Sequence, residues 1–175
     1  FWGSLGASVM NGYMAQCMAM ESAVGEYRHI HATGKGNLSK FLADFENAGG
    51  KKRDELDIRE YIFDMPQLMS QADLIICRAG ASTLAEIMSV GVASILVPSP
   101  YVADNHQEKN ARMLESNGAA VVITEAESTG NRLFETINNL LINDKKRMAM
   151  AAAAKALSVT NATEKICDIV LGLVK

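Results

Sequence analysis

The sequence has no excess of positive charge. Its 175 residues include 17 lysines and arginines against 20 aspartates and glutamates, which gives a formal net charge of −3. The two basic clusters, at residues 51–53 and 144–147, are short. Proteins that bind nucleic acids neutralise many phosphates with lysine and arginine, so we expect no nucleic-acid partner.

Cysteine is also scarce. The three cysteines, Cys17, Cys77 and Cys167, are an odd number without the spacing of a metal site, and each lies in an apolar segment. Free cysteines behave as small hydrophobic side chains, and disulfides are rare in reducing compartments. We therefore predict three buried thiols in a cytoplasmic protein.

Long hydrophobic runs are missing as well. No apolar run approaches the ~20 residues needed to cross a bilayer, and the first residues lack the basic-then-apolar order of a signal peptide. With 49% hydrophobic side chains, a chain of this length buries roughly 70% of its unfolded surface. We expect one compact domain over residues 1–175, without a second domain.

Helical and strand patterns alternate along the chain. Strands are predicted at residues 27–33, 56–63, 73–77, 93–98 and 119–123. Helices are predicted between them, at residues 83–90 and 105–117 among others, and two or three helices close the chain. This alternation predicts an α/β fold, a Rossmann-like parallel sheet with helices on both faces and ligands at the carboxyl ends of the strands.

A small-residue turn, "RAGAS", joins the apolar strand at residues 73–77 to the next helix. Gly80 and Ala81 allow a ligand to approach the backbone, and a helix amino terminus favours an anion by about 0.3–2 kcal/mol. The glycine turn "GSLGA" at residues 3–7 also precedes a helix. Together the two turns predict a diphosphate site. The alternative is that they only permit close packing, with Thr83 and Glu86 forming a capping box.

A polar connection, "PSPYVADNHQEKNA", follows the strand at residues 93–98. His106, Gln107 and Asn110 at the following helix are neutral hydrogen-bonding groups that suit sugar hydroxyls. The alternative is an exposed helix with Asp104 or Asn105 as its cap and no ligand. His106 has no partner at metal-ligand spacing, so we predict no metal site.

In this order, the segments "GSLGA", "TG" (residues 33–34), "YIFDM" (61–65), "ADLIICRAGASTLAEI" and "DNHQEKNA" closely resemble the carboxyl-terminal half of the MurG family. The resemblance covers nearly the whole chain and implies the donor-binding half of a GT-B glycosyltransferase. Such enzymes are inverting and transfer N-acetylglucosamine (GlcNAc) from UDP-GlcNAc to lipid I, forming lipid II for peptidoglycan. Lipid I and the membrane surface would be bound by a separate amino-terminal domain, at the inner face of the plasma membrane.

The resemblance also implies a role for each matching residue. Ile62 would meet the uracil through its backbone, with Met65 nearby, and Glu86 would bind the ribose hydroxyls instead of capping its helix. The diphosphate would be faced by Ser4, Gly80, Ala81, Ser82 and Thr83, and the donor's sugar and diphosphate by His106, Gln107 and Asn110. Arg78 is expected to brace the loop, no cofactor or metal is implied, and no residue here is assigned as the catalytic base.

Three residues depart from the family pattern. Trp2 replaces the first glycine of the glycine loop, where its ring either narrows the diphosphate site or covers the edge of the sheet. Phe63 replaces an acid before Asp64, and Ala32 replaces a glutamine. The first two changes bear on donor affinity and leave the fold intact.

The chain opens directly on the glycine loop, and we interpret it as a fragment that lacks the preceding strand and the amino-terminal domain. The open position in the sheet would favour dimerisation or aggregation. Two other functions stay open: a stand-alone UDP-sugar-binding subunit that pairs with a membrane acceptor subunit, and a nucleotide-binding module without transfer activity.

Overall fold

The structure of the chain is a computed structural model that describes residues 1–3, 6–25 and 27–173. These residues contain five strands and eight α-helices, which alternate from α1 to α6. The strands are β1 (His29–Ala32), β2 (Leu56–Arg59), β3 (Leu74–Cys77), β4 (Ala93–Leu96) and β5 (Val121–Val122). The helices are α1 (Ser8–Val24), α2 (Leu38–Asn47), α3 (Met65–Gln71), α4 (Ala81–Val90), α5 (His106–Ser116), α6 (Gly130–Leu141), α7 (Asp144–Ala156) and α8 (Ala162–Leu173).

Every strand pair in the described residues is parallel. β1 pairs with β2, with His29 opposite Leu56, and β3, β4 and β5 form a second hydrogen-bonded group, with Leu74 opposite Ala93. The predicted α/β fold with parallel strands is confirmed. Within the described residues, no hydrogen-bonded pairing joins β1 or β2 to the other three strands, so the strands form two separate groups.

Residues 1 and 2 contact both groups of strands. The backbone nitrogen of Phe1 donates a hydrogen bond to the carbonyl of Ile76 in β3 at 2.8 Å. The Trp2 ring is buried and meets the ring of His31 in β1 edge-on, with 6.4 Å between ring centroids. Trp2 therefore belongs to the core between the two groups of strands.

Helices cover both faces of the strands, as predicted. Ala93, Ile95 and Val97, in and after β4, face a core formed mainly with α1, α2 and α6. Leu96 faces the opposite core, which it shares with α3, α4 and α5. Because successive side chains of a strand point to opposite faces, β4 is buried on both sides. The turns that are predicted to bind the ligand lie at the carboxyl ends of these strands.

Buried polar contacts tie the end of β1 to α1. The amide of Asn11 donates to the carbonyl of Thr33 at 2.8 Å, and Nε2 of His31 lies 3.2 Å from Oδ1 of Asn11. The His31 ring stacks on Phe41 with 4.7 Å between centroids, while its Nδ1 has no hydrogen-bond partner among the described residues. Burial above all holds the pKa of His31 well below its ordinary value.

Several predicted element boundaries are wrong by two residues or more, and two of them bear on the site. β2 ends at Arg59 instead of residue 63, because Tyr61 and Phe63 are exposed in the following loop and only Ile62 turns inward. α4 begins at Ala81 instead of Thr83. Local pattern placed both elements, but the positions of their ends depend on contacts distant in sequence.

Helix α8 packs differently from the others. None of its residues is buried, and Ile166, Ile169, Val170, Leu171 and Leu173 are exposed. Cys17 and Cys77 are buried as predicted, whereas the prediction for Cys167 is wrong because this residue lies on the exposed α8. Within residues 1–3, 6–25 and 27–173, no helix has both the length and the apolar character required to cross a membrane.

Candidate functional site

The turn after β3 leaves a helix start without a side-chain cap. Gly80 occupies the N-cap position of α4 in an extended conformation, with φ −68° and ψ 142°, and no side chain among the described residues bonds the first amides. The first helical bond runs from the amide of Leu84 to the carbonyl of Gly80, at 3.0 Å. A Cβ added at Gly80 would meet nothing within 4 Å. The amides of residues 81–83 therefore begin a ten-residue helix beside open space.

The capping-box alternative for this turn is wrong. Because α4 begins at Ala81, Thr83 is its third residue and lies inside the helix instead of preceding it. Glu86 is exposed and forms no hydrogen bond or ion pair with another described residue. Its carboxylate is therefore available to a ligand, one turn along the helix from the uncapped amides.

The loop after β2 holds one apolar residue inward and two aromatic rings outward. Ile62 is buried and Met65, the first residue of α3, is half-buried. Phe63 is 90% exposed, and its ring lies 4.8 Å from the ring of Tyr61. Sequence reasoning treated Phe63 only as a replaced acid and missed this aromatic pair, although the spacing of two rings within a polar loop was a signal for it.

An ion-pair cluster fixes the base of the same loop. Arg59 binds the carboxylate of Asp57 at 2.7 Å and that of Asp64 at 3.4 Å. Hydrogen bonding from Arg59, more than its charge, lowers the pKa of Asp57. Asp64 occupies the N-cap position of α3 without a side-chain cap bond. Arg59 therefore links the end of β2 to the start of α3.

The loop after β4 contains two consecutive non-glycine residues with left-handed backbone. Asp104 has φ 53° and Asn105 has φ 48°, conformations that cost of order 1–3 kcal/mol each. Asn105 occupies the N-cap position of α5 as predicted, but its side chain donates to Glu108 at 2.7 Å and makes no cap bond. Asn105 is thus the cap residue named in the alternative interpretation, but it makes no side-chain cap bond.

Three polar side chains lie at the start of α5, and two of them contact their own loop. Oε1 of Gln107 accepts the amide of Ser99 at 2.9 Å, which leaves its NH₂ group as a donor. Nδ1 of the exposed His106 lies 2.9 Å from the carbonyl of Ala103, so its Nε2 is left as an acceptor. Asn110 is half-buried and has no hydrogen bond to another described residue.

Arg78 connects the ends of three strands. One guanidinium nitrogen donates to the carbonyls of Val97 and Pro98, both at 3.2 Å, and the other binds the carboxylate of Glu125. The guanidinium also lies 5.9 Å from the centre of the Trp2 ring. Arg78, which follows β3, therefore binds two residues that follow β4 and one that follows β5.

Gly6, just before α1, packs closely on the end of β1. Gly6 has φ 72°, and a Cβ at this position would lie 2.1 Å from the carbonyl oxygen of Thr33. Ser4, which was predicted to face the diphosphate, lies outside the described residues. The close approach places Gly6 at the carboxyl end of β1.

A cavity of about 500 Å³ opens beside the loop after β4. Its lining includes Val9, Tyr13, Pro98, Tyr101 and Glu125. Sequence reasoning missed it, because these residues come from three segments that are far apart in sequence. None of the residues predicted to bind the donor lines this cavity within the described part of the chain.

Two further chemical features of the described residues bear on the site. They contain no group of three or more histidine, cysteine or acidic side chains that would hold a metal ion. Burial raises the pKa of the Cys77 thiol to about 12, so this residue at the end of β3 is not a nucleophile at neutral pH.

Comparison with known sequences gives a family and close relatives. A sequence model of the glycosyltransferase family 28 C-terminal domain matches residues 1–166. Proteins from Acetivibrio thermocellus and Listeria welshimeri are 42% and 40% identical over the whole chain. Both are named "UDP-N-acetylglucosamine--N-acetylmuramyl-(pentapeptide) pyrophosphoryl-undecaprenol N-acetylglucosamine transferase". The chain spans about half, 47%, of the length of each relative.

Solved structures share the same fold. The crystal structure of Acinetobacter baumannii MurG is 32% identical, with a TM-score of 0.81 over 97% of this chain and 48% of its own. The glycosyltransferase VinC matches with a TM-score of 0.70 at 18% identity, covering 95% of this chain and 39% of its own. The resemblance to the MurG family that the sequence motifs predict is confirmed.

Proposed function

Because the chain belongs to the family of glycosyltransferase family 28 C-terminal domains, we propose that residues 1–175 are the donor-binding domain of an inverting glycosyltransferase. The complete enzyme would transfer GlcNAc from UDP-GlcNAc to lipid I and form lipid II for peptidoglycan. The names and identities of the relatives support this activity. The other half would bind lipid I and the membrane surface, and the enzyme would act in the cytoplasm at the inner face of the plasma membrane.

The uncapped start of α4 is the observation that carries the proposal. Within residues 1–3, 6–25 and 27–173, no side chain bonds the first amides of this helix, and the space beside Gly80 is open. A diphosphate there would meet several backbone donors and the positive end of the helix dipole. Small residues at Gly80, Ala81 and Ser82 let the phosphate oxygens reach the backbone.

The rest of the donor would follow from this anchor. The uracil would lie at Ile62 and Met65, and the ribose hydroxyls would be bound by Glu86, whose carboxylate has no partner among the described residues. Ser4 and Thr83 would complete the diphosphate site. The sugar would be bound by His106, Gln107 and Asn110, which offer an Nε2 acceptor, an amide NH₂ donor and a second amide.

The reaction would be attack by an acceptor hydroxyl on the anomeric carbon of GlcNAc, with UDP leaving from the opposite face. Its transition state resembles an oxocarbenium ion, and negative charge grows on the leaving diphosphate. Amides already fixed at the start of α4 would stabilise this charge without reorganisation, which is a large term in many enzymes. The catalytic base is assigned to the other half of the enzyme.

Calorimetric titration of this chain with UDP-GlcNAc tests the donor site. Replacing Glu86 by alanine should weaken binding by about 1–3 kcal/mol, since the ribose hydroxyls lose a charged acceptor. That range corresponds to about 5- to 150-fold in Kd. Glu135→Ala, at an exposed glutamate on α6, is the matched control. Equal loss in both variants, or none in Glu86→Ala, would contradict the assignment.

Transfer requires both halves, so it is measured on the complete enzyme with lipid I and labelled UDP-GlcNAc. Formation of lipid II is the expected result. Tight UDP binding without transfer would instead support a nucleotide-binding module.

A further inference from the structure

Arg78 and Glu125 form an ion pair at the carboxyl edge of the strands, 47 residues apart in sequence. Their side chains are only 12% and 10% exposed. Arg78 immediately follows β3, and Glu125 lies three residues after β5. A charge this well buried needs its partner, because removal of one member leaves the other desolvated and unpaired.

The same guanidinium fixes the loop that leads to α5. Its bonds to the carbonyls of Val97 and Pro98 hold the first residues after β4. The next residue, Ser99, donates its amide to Gln107 on α5. A continuous set of contacts therefore runs from Arg78 through the loop after β4 to a proposed sugar-binding side chain. Gly80, the N-cap of the proposed diphosphate helix, lies two residues after Arg78 in the sequence.

We propose that Arg78 and Glu125 are a positioning pair that sets the distance between the diphosphate turn and the sugar-binding residues of α5. The pair acts through the protein, because the Arg78 guanidinium binds Glu125 and two carbonyls. This inference rests on the proposed donor site. A bound UDP-GlcNAc has to engage the start of α4 and the start of α5 at once, and a shift of about 1 Å between such groups is enough to lose a large part of the gain from joint binding.

The alternative role for Arg78, direct neutralisation of the diphosphate, makes a different prediction. If Arg78 contacted the phosphates, Glu125→Gln would remove a competing carboxylate and strengthen UDP binding. If the pair positions the two sites, Glu125→Gln and Arg78→Met should act alike. UDP affinity should then change little, and the advantage of UDP-GlcNAc over UDP should fall by about tenfold or more.

The experiment is calorimetric titration of the chain with UDP and with UDP-GlcNAc, for the wild type, both single variants and the double variant Arg78→Met/Glu125→Leu. The double variant guards against misfolding, since apolar replacement of a buried ion pair is often neutral for stability. The ratio of the two dissociation constants is the readout, because simple destabilisation lowers both affinities together. The ratio of the UDP dissociation constant to that of UDP-GlcNAc should fall no further in the double variant than in either single variant.

Arg147 offers a matched control. It is 16% exposed, donates to the carbonyls of Leu140 and Leu141, and pairs with Asp144 and Asp73, so it has the same chemistry as Arg78. Asp73 precedes β3, at the edge of the strands opposite the site. Arg147→Met should leave the ratio unchanged.

Three outcomes are decisive. A fall in the ratio in the Arg78 and Glu125 variants, but not in Arg147→Met, supports the positioning pair. An unchanged ratio in folded variants, or stronger UDP binding in Glu125→Gln, overturns it while leaving the proposed function intact. A folded wild-type chain that binds neither UDP nor UDP-GlcNAc overturns the proposed function, and this inference with it.

Discussion

Replacing Gly6 by alanine is predicted to destabilise the fold through a single backbone contact. At φ 72° an alanine costs about 1–2 kcal/mol in conformational energy. Its methyl group would also lie 2.1 Å from the carbonyl oxygen of Thr33, an oxygen already held by the side-chain amide of Asn11 at 2.8 Å. Overpacking of this kind adds about 1–3 kcal/mol, so the free energy of unfolding should fall by about 2–5 kcal/mol.

Gly118 provides the control for this prediction. Its φ is 70°, and a Cβ there would meet nothing within 4 Å. Gly118→Ala should therefore show only the conformational part, about 1–2 kcal/mol. Urea unfolding followed by circular dichroism gives both values, provided that the denaturant slopes agree. Equal losses in the two variants would refute the argument that the approach to Thr33 requires glycine at position 6.

Three further predictions concern buried side chains. Because burial lowers the pKa of His31, the unfolded chain binds a proton that the folded chain does not, so stability should fall below about pH 6.5, by up to ~1.4 kcal/mol per pH unit. Urea midpoints should follow this slope in the wild type, and a slope unchanged in His31→Gln would refute it. At about pH 8, a thiol reagent should label exposed Cys167 in the native state and Cys77, whose pKa is about 12, only after unfolding. Peptide mapping that finds Cys77 modified first would contradict this. Ile95→Ala should lose about 2–5 kcal/mol and exposed Ile142→Ala less than about 0.5 kcal/mol in thermal unfolding, and similar losses would argue against the core.

The fold could be predicted from the sequence because its signals are local. The apolar run at Ile75 and Ile76 and the helical spacing of Met10, Met14 and Met18 identify their elements without knowledge of distant contacts. The ends of β2 and the exposure of α8 were not predictable in this way. Apolar residues in both segments look like core residues in sequence, and only tertiary packing decides whether a core lies beside them.

The candidate site was predicted in part. The glycine turns and the polar start of α5 carry local signals, and the family resemblance named their residues. The pairing of Arg78 with Glu125 and the burial of Trp2 have no local signal, because each depends on residues far away in the chain. The capping box at Thr83 matched a sequence pattern, yet α4 begins two residues earlier and the pattern is not used.

An NMR titration of the isotope-labelled chain with UDP-GlcNAc tests the proposed diphosphate site at the start of α4. We expect saturable shifts of the amide signals of Gly80, Ala81, Ser82 and Thr83, because the diphosphate would accept hydrogen bonds at the start of α4. Smaller shifts are expected at the start of α5. A folded chain whose α4 amides do not move at saturating UDP-GlcNAc, or whose shifts centre on another surface, would contradict the proposed donor site.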